Sequence, residues 1–209
     1  MYKCTLCSVL ACSEENPDII PKNCPMHGET LMEDCFLEYE RDENRNFHVK
    51  STEIEAAGYG QWPRIREIIE FSKEMNYKKI GIAFCLGLHK EAKIVDRLLE
   101  EAGFETVSVI CKTGGIPKER IGISDQKKVR PGTFETICNP IAQAKLLNEQ
   151  HTDFNIVVGL CVGHDSIFYK YSEAMVTTLI AKDRVLAHNP AGALYCSEGY
   201  FKSKVSDCK

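Results

Sequence analysis

Two uninterrupted apolar runs that stop at cysteine, glycine and histidine constrain the fold of this chain more than any other feature. One is NIVVGLCVGHDS at residues 155–166, and the other is IGIAFCLGLH at residues 80–89. An apolar run that ends in a glycine-containing polar turn is typical of a parallel strand buried on both faces. The two runs therefore predict central strands of a parallel sheet, with reactive side chains where the strands end.

Further strands and helices alternate with these runs. The pattern predicts strands over 79–85, 106–111, 155–161 and 176–181, and helices over 89–103, from Pro140, and over 191–204. Asn139-Pro140 and Asn189-Pro190 each combine a good N-cap with a residue suited to the first helical turn. This alternation predicts an α/β domain with an open, mostly parallel, Rossmann-like sheet and helices on both faces.

The expected strand order brings several cysteines together. If the first strand is central, with the second on one side and the third on the other, the chain reverses direction there, and such sheets bind ligands at that reversal. Cys85, Cys111 and Cys161 would then end neighbouring strands, which lie about 4.8 Å apart. Cys138 would reach the same crevice from a helix N-terminus, whose partial positive charge favours the thiolate.

These four cysteines predict a thiolate-rich site that holds an iron–sulfur cluster or another metal, because thiolates are soft ligands. The alternative for any single strand cysteine is burial as a small apolar residue. His164 and Asp165 follow Cys161 and are predicted to be catalytic, since imidazole carries protons near neutral pH.

A separate cysteine series lies before the α/β pattern. Residues 1–47 have too few large apolar residues to fold alone, but they contain the spacing C-x2-C-x4-C-x11-C. This spacing predicts a small metal knuckle that holds zinc or an iron–sulfur cluster. The expected ligands are Cys4, Cys7, Cys12 and Cys24, with His27 and Cys35 as alternatives. The predicted domains are therefore the knuckle, 1–47, and the α/β domain, 52–209.

Composition and charge narrow the expected cellular location and the expected binding partners. The chain has 209 residues, 11 cysteines and a formal net charge of −4. A cytosolic location is expected because a reducing compartment keeps so many thiols available, and no apolar stretch predicts a signal peptide or a membrane span. The acidic N-terminal part argues against a nucleic-acid partner. A redox partner or a small-molecule ligand is expected instead.

Several enzyme classes lack their sequence signals here. The chain contains no G-x-S-x-G, no G-x-G-x-x-G and no P-loop, so serine hydrolases and nucleotide-binding folds have no direct support. The alternative to a two-site metalloprotein is a cysteine-dependent enzyme or small-ligand-binding module. Its zinc would lie only in the knuckle, and Cys138 or Cys161 would react beside His164. Whether the chain is an enzyme stays open at this point.

Four segments carry a resemblance to a known family. They are the series from Cys4 to Cys24, FCLGL at 84–88, GLCVGHDSIF at 159–168 and KDRVLAHNPAGALY at 182–195. Together they resemble a family of uncharacterised, predicted metal-binding proteins of anaerobic microbes, which is catalogued as a domain of unknown function. The resemblance extends through nearly the whole chain. It implies a small, cysteine-rich protein that binds metal, and it implies no established reaction.

Overall fold

A computed structural model of the chain describes residues 1–14 and 19–206. The chain divides into two compact units, Met1–Ala57 and Gly58–Lys209. Among the described residues, no helix has the length and apolar character that crossing a membrane requires.

The first unit contains short turns followed by two helices. Its 3-10 turns are Cys4–Leu6, Ala11–Ser13 and Pro25–His27, and its helices are α1 (Glu29–Tyr39) and α2 (Asp42–Gly58), which ends one residue inside the second unit. The sequence pattern predicted no helix as early as α1. The reason is that α1 has no buried residue, so its apolar side chains, Leu31 and Phe36 among them, form no core-facing stripe.

The second unit alternates helices and strands as predicted. Its elements are α3 (Arg64–Glu74), β1 (Lys79–Phe84), α4 (His89–Glu101), β2 (Glu105–Ile110), α5 (Pro140–Glu149), β3 (Phe154–Val158), α6 (His164–Tyr171), β4 (Met175–Ile180), α7 (Ala191–Tyr195) and α8 (Lys202–Val205). Helix α4 buries Ala92, Val95 and Leu99 at helical spacing. Helix α5 begins where the Asn139 side chain accepts a hydrogen bond from the Ala142 amide.

The strands pair in the order β2-β1-β3-β4, and every pairing is parallel. The predicted α/β fold and the reversal between β1 and β3 are confirmed. Because crossovers between parallel strands are right-handed, α4 covers one face of the sheet and α5 and α6 cover the other. The interior of this unit is mainly apolar, with fully buried Ile80, Ile82, Leu88, Leu99, Leu147, Ile156, Val158 and Phe168 beside the buried polar residues Ser72, Gln143 and Asn155.

Most boundaries lie within one or two residues of the sequence prediction, and two differ by more. Strand β3 ends at Val158 and not at 161, because Gly159 adopts a positive φ of 66° and turns the chain. The single helix predicted over 191–204 is wrong. The chain leaves helical geometry at Cys196 (φ −108°, ψ 18°), and α7 and α8 are therefore separate short helices.

Candidate active site at the carboxyl edge of the sheet

A cavity of about 680 Å³ lies at the carboxyl ends of the strands, within the second unit. All four cysteines of the predicted strand-end site line it: Cys85, Cys111, Cys138 and Cys161. They come from three connections of the chain, because Cys111 and Cys138 lie at the two ends of the connection between β2 and α5. The sheet therefore brings together thiols that are far apart in sequence, at the reversal where ligands bind in open parallel sheets.

Backbone hydrogen bonds that extend the sheet fix Cys85 and Cys111. The amide of Cys85 donates to the carbonyl of Val158 at 3.1 Å, and the amide of Cys111 donates to the carbonyl of Phe84 at 2.9 Å. Both cysteines are buried and continue directly from the last residues of β1 and β2. Their positions are thus set by the register of the sheet.

The start of α5 holds Cys138 against the end of β2. The Asn139 amide donates to the Cys111 carbonyl at 2.7 Å, and the Asn139 side chain donates to the Thr113 carbonyl at 3.3 Å while it caps the helix. Cys138 is half-buried and immediately precedes this cap. The Asn139-Pro140 sequence therefore both begins the helix and places a thiol beside Cys111.

Cys161 lies three residues beyond the end of β3, in the turn that leads into α6. Its carbonyl accepts the amides of His164 at 2.9 Å and Asp165 at 3.2 Å. Gly159 makes this turn, and a Cβ there would lie 2.6 Å from the Leu88 Cδ1. The glycine is therefore needed both for the positive φ and for close packing against the turn that follows β1.

Three of the thiols share one proton-donating group. The Cys111 thiol is hydrogen-bonded to both Cys85 and Cys138, and these bonds are the main reason that the pKa of Cys85 falls to about 4 and that of Cys138 to about 5. The same bonds, together with burial, raise the pKa of Cys111 far above its usual range. These shifts favour the thiolate at Cys85 and Cys138 and the thiol at Cys111, and the thiolate is the form that binds metals or attacks electrophiles.

Basic side chains surround these thiolates, and the sequence analysis had not singled them out. Lys182 further lowers the pKa of Cys85, and Lys112 does the same for Cys138. The Arg184 guanidinium donates to the Cys161 Sγ at 3.1 Å, and this bond raises the pKa of Arg184. Their position in the sequence could have indicated this role. Lys182 and Arg184 come just after β4, at the same sheet edge as the cysteines.

The structure separates the two residues of the predicted catalytic pair. His164 lines the cavity at the start of α6, and its buried Nδ1 atom has no hydrogen-bond partner within the described part of the chain. Asp165 is not among the lining residues; its carboxylate accepts the Ser166 amide at 2.8 Å. His164 is therefore the one of the two that faces the thiols, and its positive form helps lower the pKa of Cys138.

The long connection from 112 to 137 forms the outer wall of the cavity. Pro117 and Thr136 form an antiparallel bridge, and Lys118 pairs with Glu135 at 2.5 Å. The side chain of Lys128, only 5% exposed, pairs with Glu119 and with Asp125. This segment is therefore held together by ion pairs and turns.

The N-terminal cysteines lie in the other unit and on its short turns. Cys4 and Cys12 are exposed, and Cys7 and Cys24 are half-buried. The alternative ligand His27 donates from Nε2 to the Pro21 carbonyl at 3.0 Å, and Cys35 is exposed on α1. Within residues 1–14 and 19–206, no three His, Cys, Asp or Glu side chains are arranged to hold a single metal ion.

Comparison with known proteins gives the family. A family described as "Protein of unknown function (DUF1847)" matches residues 24–179, a range that contains all four cavity cysteines and His164. Uncharacterized protein MJ0455 of Methanocaldococcus jannaschii is 45% identical over 207 residues, which cover 99% of this chain and 100% of that protein. The chain therefore belongs to the DUF1847 family of proteins of unknown function.

Proposed function

We propose that the chain is a metalloprotein whose sheet-edge cysteines, Cys85, Cys111, Cys138 and Cys161, hold an iron–sulfur cluster or another soft metal centre. The observation that carries this proposal is the convergence of four thiols, from three connections between strands and helices, on one cavity. Such a donor set suits soft metals, and the lowered pKa values of Cys85 and Cys138 favour the ligating form of these two thiols. A bound cluster would supply one-electron transfer, which fits a redox partner.

The residues around the thiols suit this use. Lys182 and Arg184 place positive charge beside the sulfurs, which offsets the negative charge of several thiolates gathered at one edge. The unpartnered Nδ1 of His164 offers a further nitrogen ligand or proton acceptor at the same cavity. Buried unpaired polar atoms are rare in proteins, so this atom is itself support for a missing partner.

The N-terminal cysteines are proposed to form a second site, with zinc or an iron–sulfur cluster on Cys4, Cys7, Cys12 and Cys24. His27 and Cys35 are the substitutes for any one of these. The support is the ligand spacing and the solvent access of the thiols. A reducing, cytosolic setting without a nucleic-acid partner belongs to the same proposal.

The test is metal and sulfide analysis of protein purified without oxygen, with an absorption spectrum. We expect iron, labile sulfide and a charge-transfer colour. Colourless protein with only stoichiometric zinc would overturn the cluster at the sheet edge and leave the zinc knuckle.

The place of Cys138 and His164 at one cavity, where the charge of His164 contributes to the lowered pKa of Cys138, favours a second candidate, a cysteine-dependent enzyme. A thiolate beside an imidazole is the arrangement that thiol nucleophiles use. In zinc-containing, iron-free protein, this candidate predicts fast alkylation of Cys138 and loss of that reactivity in His164→Ala. Equal alkylation rates in the two proteins would count against it.

A further inference from the structure

The cavity carries more basic than acidic side chains beyond its thiols. Five cations line it: Lys112, Lys118, Arg130, Lys182 and Arg184. Its lining acid is Glu135, which is already paired with Lys118. If Cys85 and Cys138 are thiolates, they balance two of the remaining cations. A positive balance is therefore left inside a concave site, and it favours an anionic ligand.

Two of these cations are placed to contact such a ligand. Arg130 is exposed at the cavity wall, and its guanidinium has no hydrogen-bond or ion-pair partner in the part of the chain that the structure describes. Lys182 is half-buried at the same cavity, beside Gly87, where a Cβ would lie 3.4 Å from its Nζ. An arginine fork and a lysine point charge are the groups with which proteins hold carboxylates and phosphates.

The outer wall offers an apolar surface next to this charge. Ile121, Val129 and Phe134 line the cavity and are 60%, 84% and 73% exposed, respectively. Exposed large apolar side chains grouped at a concave site indicate a ligand-binding surface more often than chance placement. A volume of about 680 Å³ also falls within the range of small-molecule sites.

We propose that this cavity binds a small organic anion. Its carboxylate or phosphate head would contact Arg130 and Lys182, and its apolar body would lie against Ile121, Val129 and Phe134. The inference rests on the charge and shape of the cavity and holds whether or not the cysteines carry metal. The proposal therefore names the chemical class of small molecule that would bind beside the cysteines.

Calorimetric titration of the full-length protein with matched six-carbon probes tests the proposal. Hexanoate, hexyl phosphate, hexanol and hexylamine share a chain and differ in head group. We expect hexanoate or hexyl phosphate to bind at least about tenfold more tightly than hexanol, since a hydrogen bond to a charged group is worth roughly 1.5–3 kcal/mol. The stronger of the two anions identifies the head group. Equal affinity for the alcohol, or tighter binding of the amine, would overturn the proposal.

Single substitutions test where in the cavity the ligand binds. Arg130→Met and Lys182→Met are each expected to weaken the anion about tenfold, whereas Lys93→Met, an exposed lysine on α4, should not change it. Phe134→Ala should weaken hexanoate but not acetate. Unchanged hexanoate affinity in both Arg130→Met and Lys182→Met would sink the assignment. Metal content is measured on the same samples, so anion binding by metal-free protein would keep this inference while it overturned the metalloprotein proposal.

Discussion

The Arg184 guanidinium donates a hydrogen bond to the Cys161 sulfur at 3.1 Å and so joins the segment after β4 to the turn after β3. These residues are 23 positions apart. The contact links two residues that line the cavity, and it gives Cys161 a charged neighbour. We therefore use Cys161 to test whether these thiols bind metal or only pack in the protein interior.

Cys161→Ser is expected to remove the sheet-edge metal centre and to keep metal at the N-terminal cysteines. Serine is a poor ligand for soft metals but nearly the same size, so the free energy of unfolding of the metal-free protein should fall by no more than roughly 1 kcal/mol. Metal per chain, measured for wild type and variant, checks the expectation.

The control for this experiment is Cys196→Ser. Cys196 is exposed at the end of α7, so its substitution should leave the metal content of both centres unchanged. Cys208 was an equivalent choice from the sequence, but it lies outside the described residues. Equal metal in Cys161→Ser and wild type would show that Cys161 is no ligand.

Cys111→Ala should make Cys85 and Cys138 less acidic. The Cys111 S–H group is the main cause of their low pKa values, about 4 and about 5, so its removal must shift both pKa values upward. Iodoacetamide labelling of chelator-treated protein from pH 2.5 to pH 9, followed by peptide mass spectrometry, gives each midpoint. We expect Cys138 to label fully by pH 6.5 in wild type and to need a higher pH in the variant. Identical midpoints would mean that the Cys111 thiol does not stabilise these thiolates.

Gly159→Ala should destabilise the protein more than Gly60→Ala does. Both glycines have φ of 66°, but a Cβ at Gly159 would lie 2.6 Å from Leu88 whereas nothing lies within 4 Å at Gly60. The shared backbone cost is about 1 kcal/mol, and overpacking adds roughly 1–3 kcal/mol at Gly159 only. Urea unfolding of the two variants gives the difference. Equal losses would show that Leu88 moves aside without cost.

Lys128→Met should loosen the wall from 112 to 137 at neutral pH, as acid does in wild type. Lys128 lowers the pKa of Glu119 and of Asp125, so these pairs stabilise the wall above the ordinary carboxyl pKa values and are lost as pH falls through the lowered ones. Amide hydrogen exchange of this segment at pH 7 and pH 3 measures the effect. If exchange at pH 7 is the same in variant and wild type, the ion pairs do not hold the wall.

Cys4→Ser or Cys7→Ser should expose the first unit to protease and leave the second intact, if the N-terminal segment depends on an ion to fold. Limited trypsin digestion with mass spectrometry would then find new cuts only before residue 57. Cys35→Ser provides the matched control on α1. Loss of the whole cooperative unfolding transition would instead show that this segment is part of one folding unit with the sheet.

The α/β body could be predicted from sequence because its signals are local and strong. Continuous apolar runs identified β1 and β3, and Asn139-Pro140 identified the start of α5. The convergence of Cys85, Cys111, Cys138 and Cys161 then followed from strand order. Their role as ligands stays a prediction.

The rest depended on tertiary contacts that no local pattern encodes. Arg184 and Lys182 look like ordinary solvated residues until the strand order brings the end of β4 beside β3. Likewise, the ion pairs that order the 112–137 wall join residues such as Lys118 and Glu135, 17 positions apart, without helical or strand periodicity. Helix α1 was missed because it has no buried stripe.

The pairing of Phe84 with both Ile110 and Val158 makes the site sensitive to insertions and deletions. Side chains alternate between the two faces of a strand, so deletion of one residue within β1 would turn Cys85 to the other face of the sheet. A change of one residue in the 112–137 connection has no such consequence, because its ends are tied independently to β2 and α5. Engineered length changes should therefore be tolerated in the wall of the cavity and abolish the thiol cluster when made in the strands.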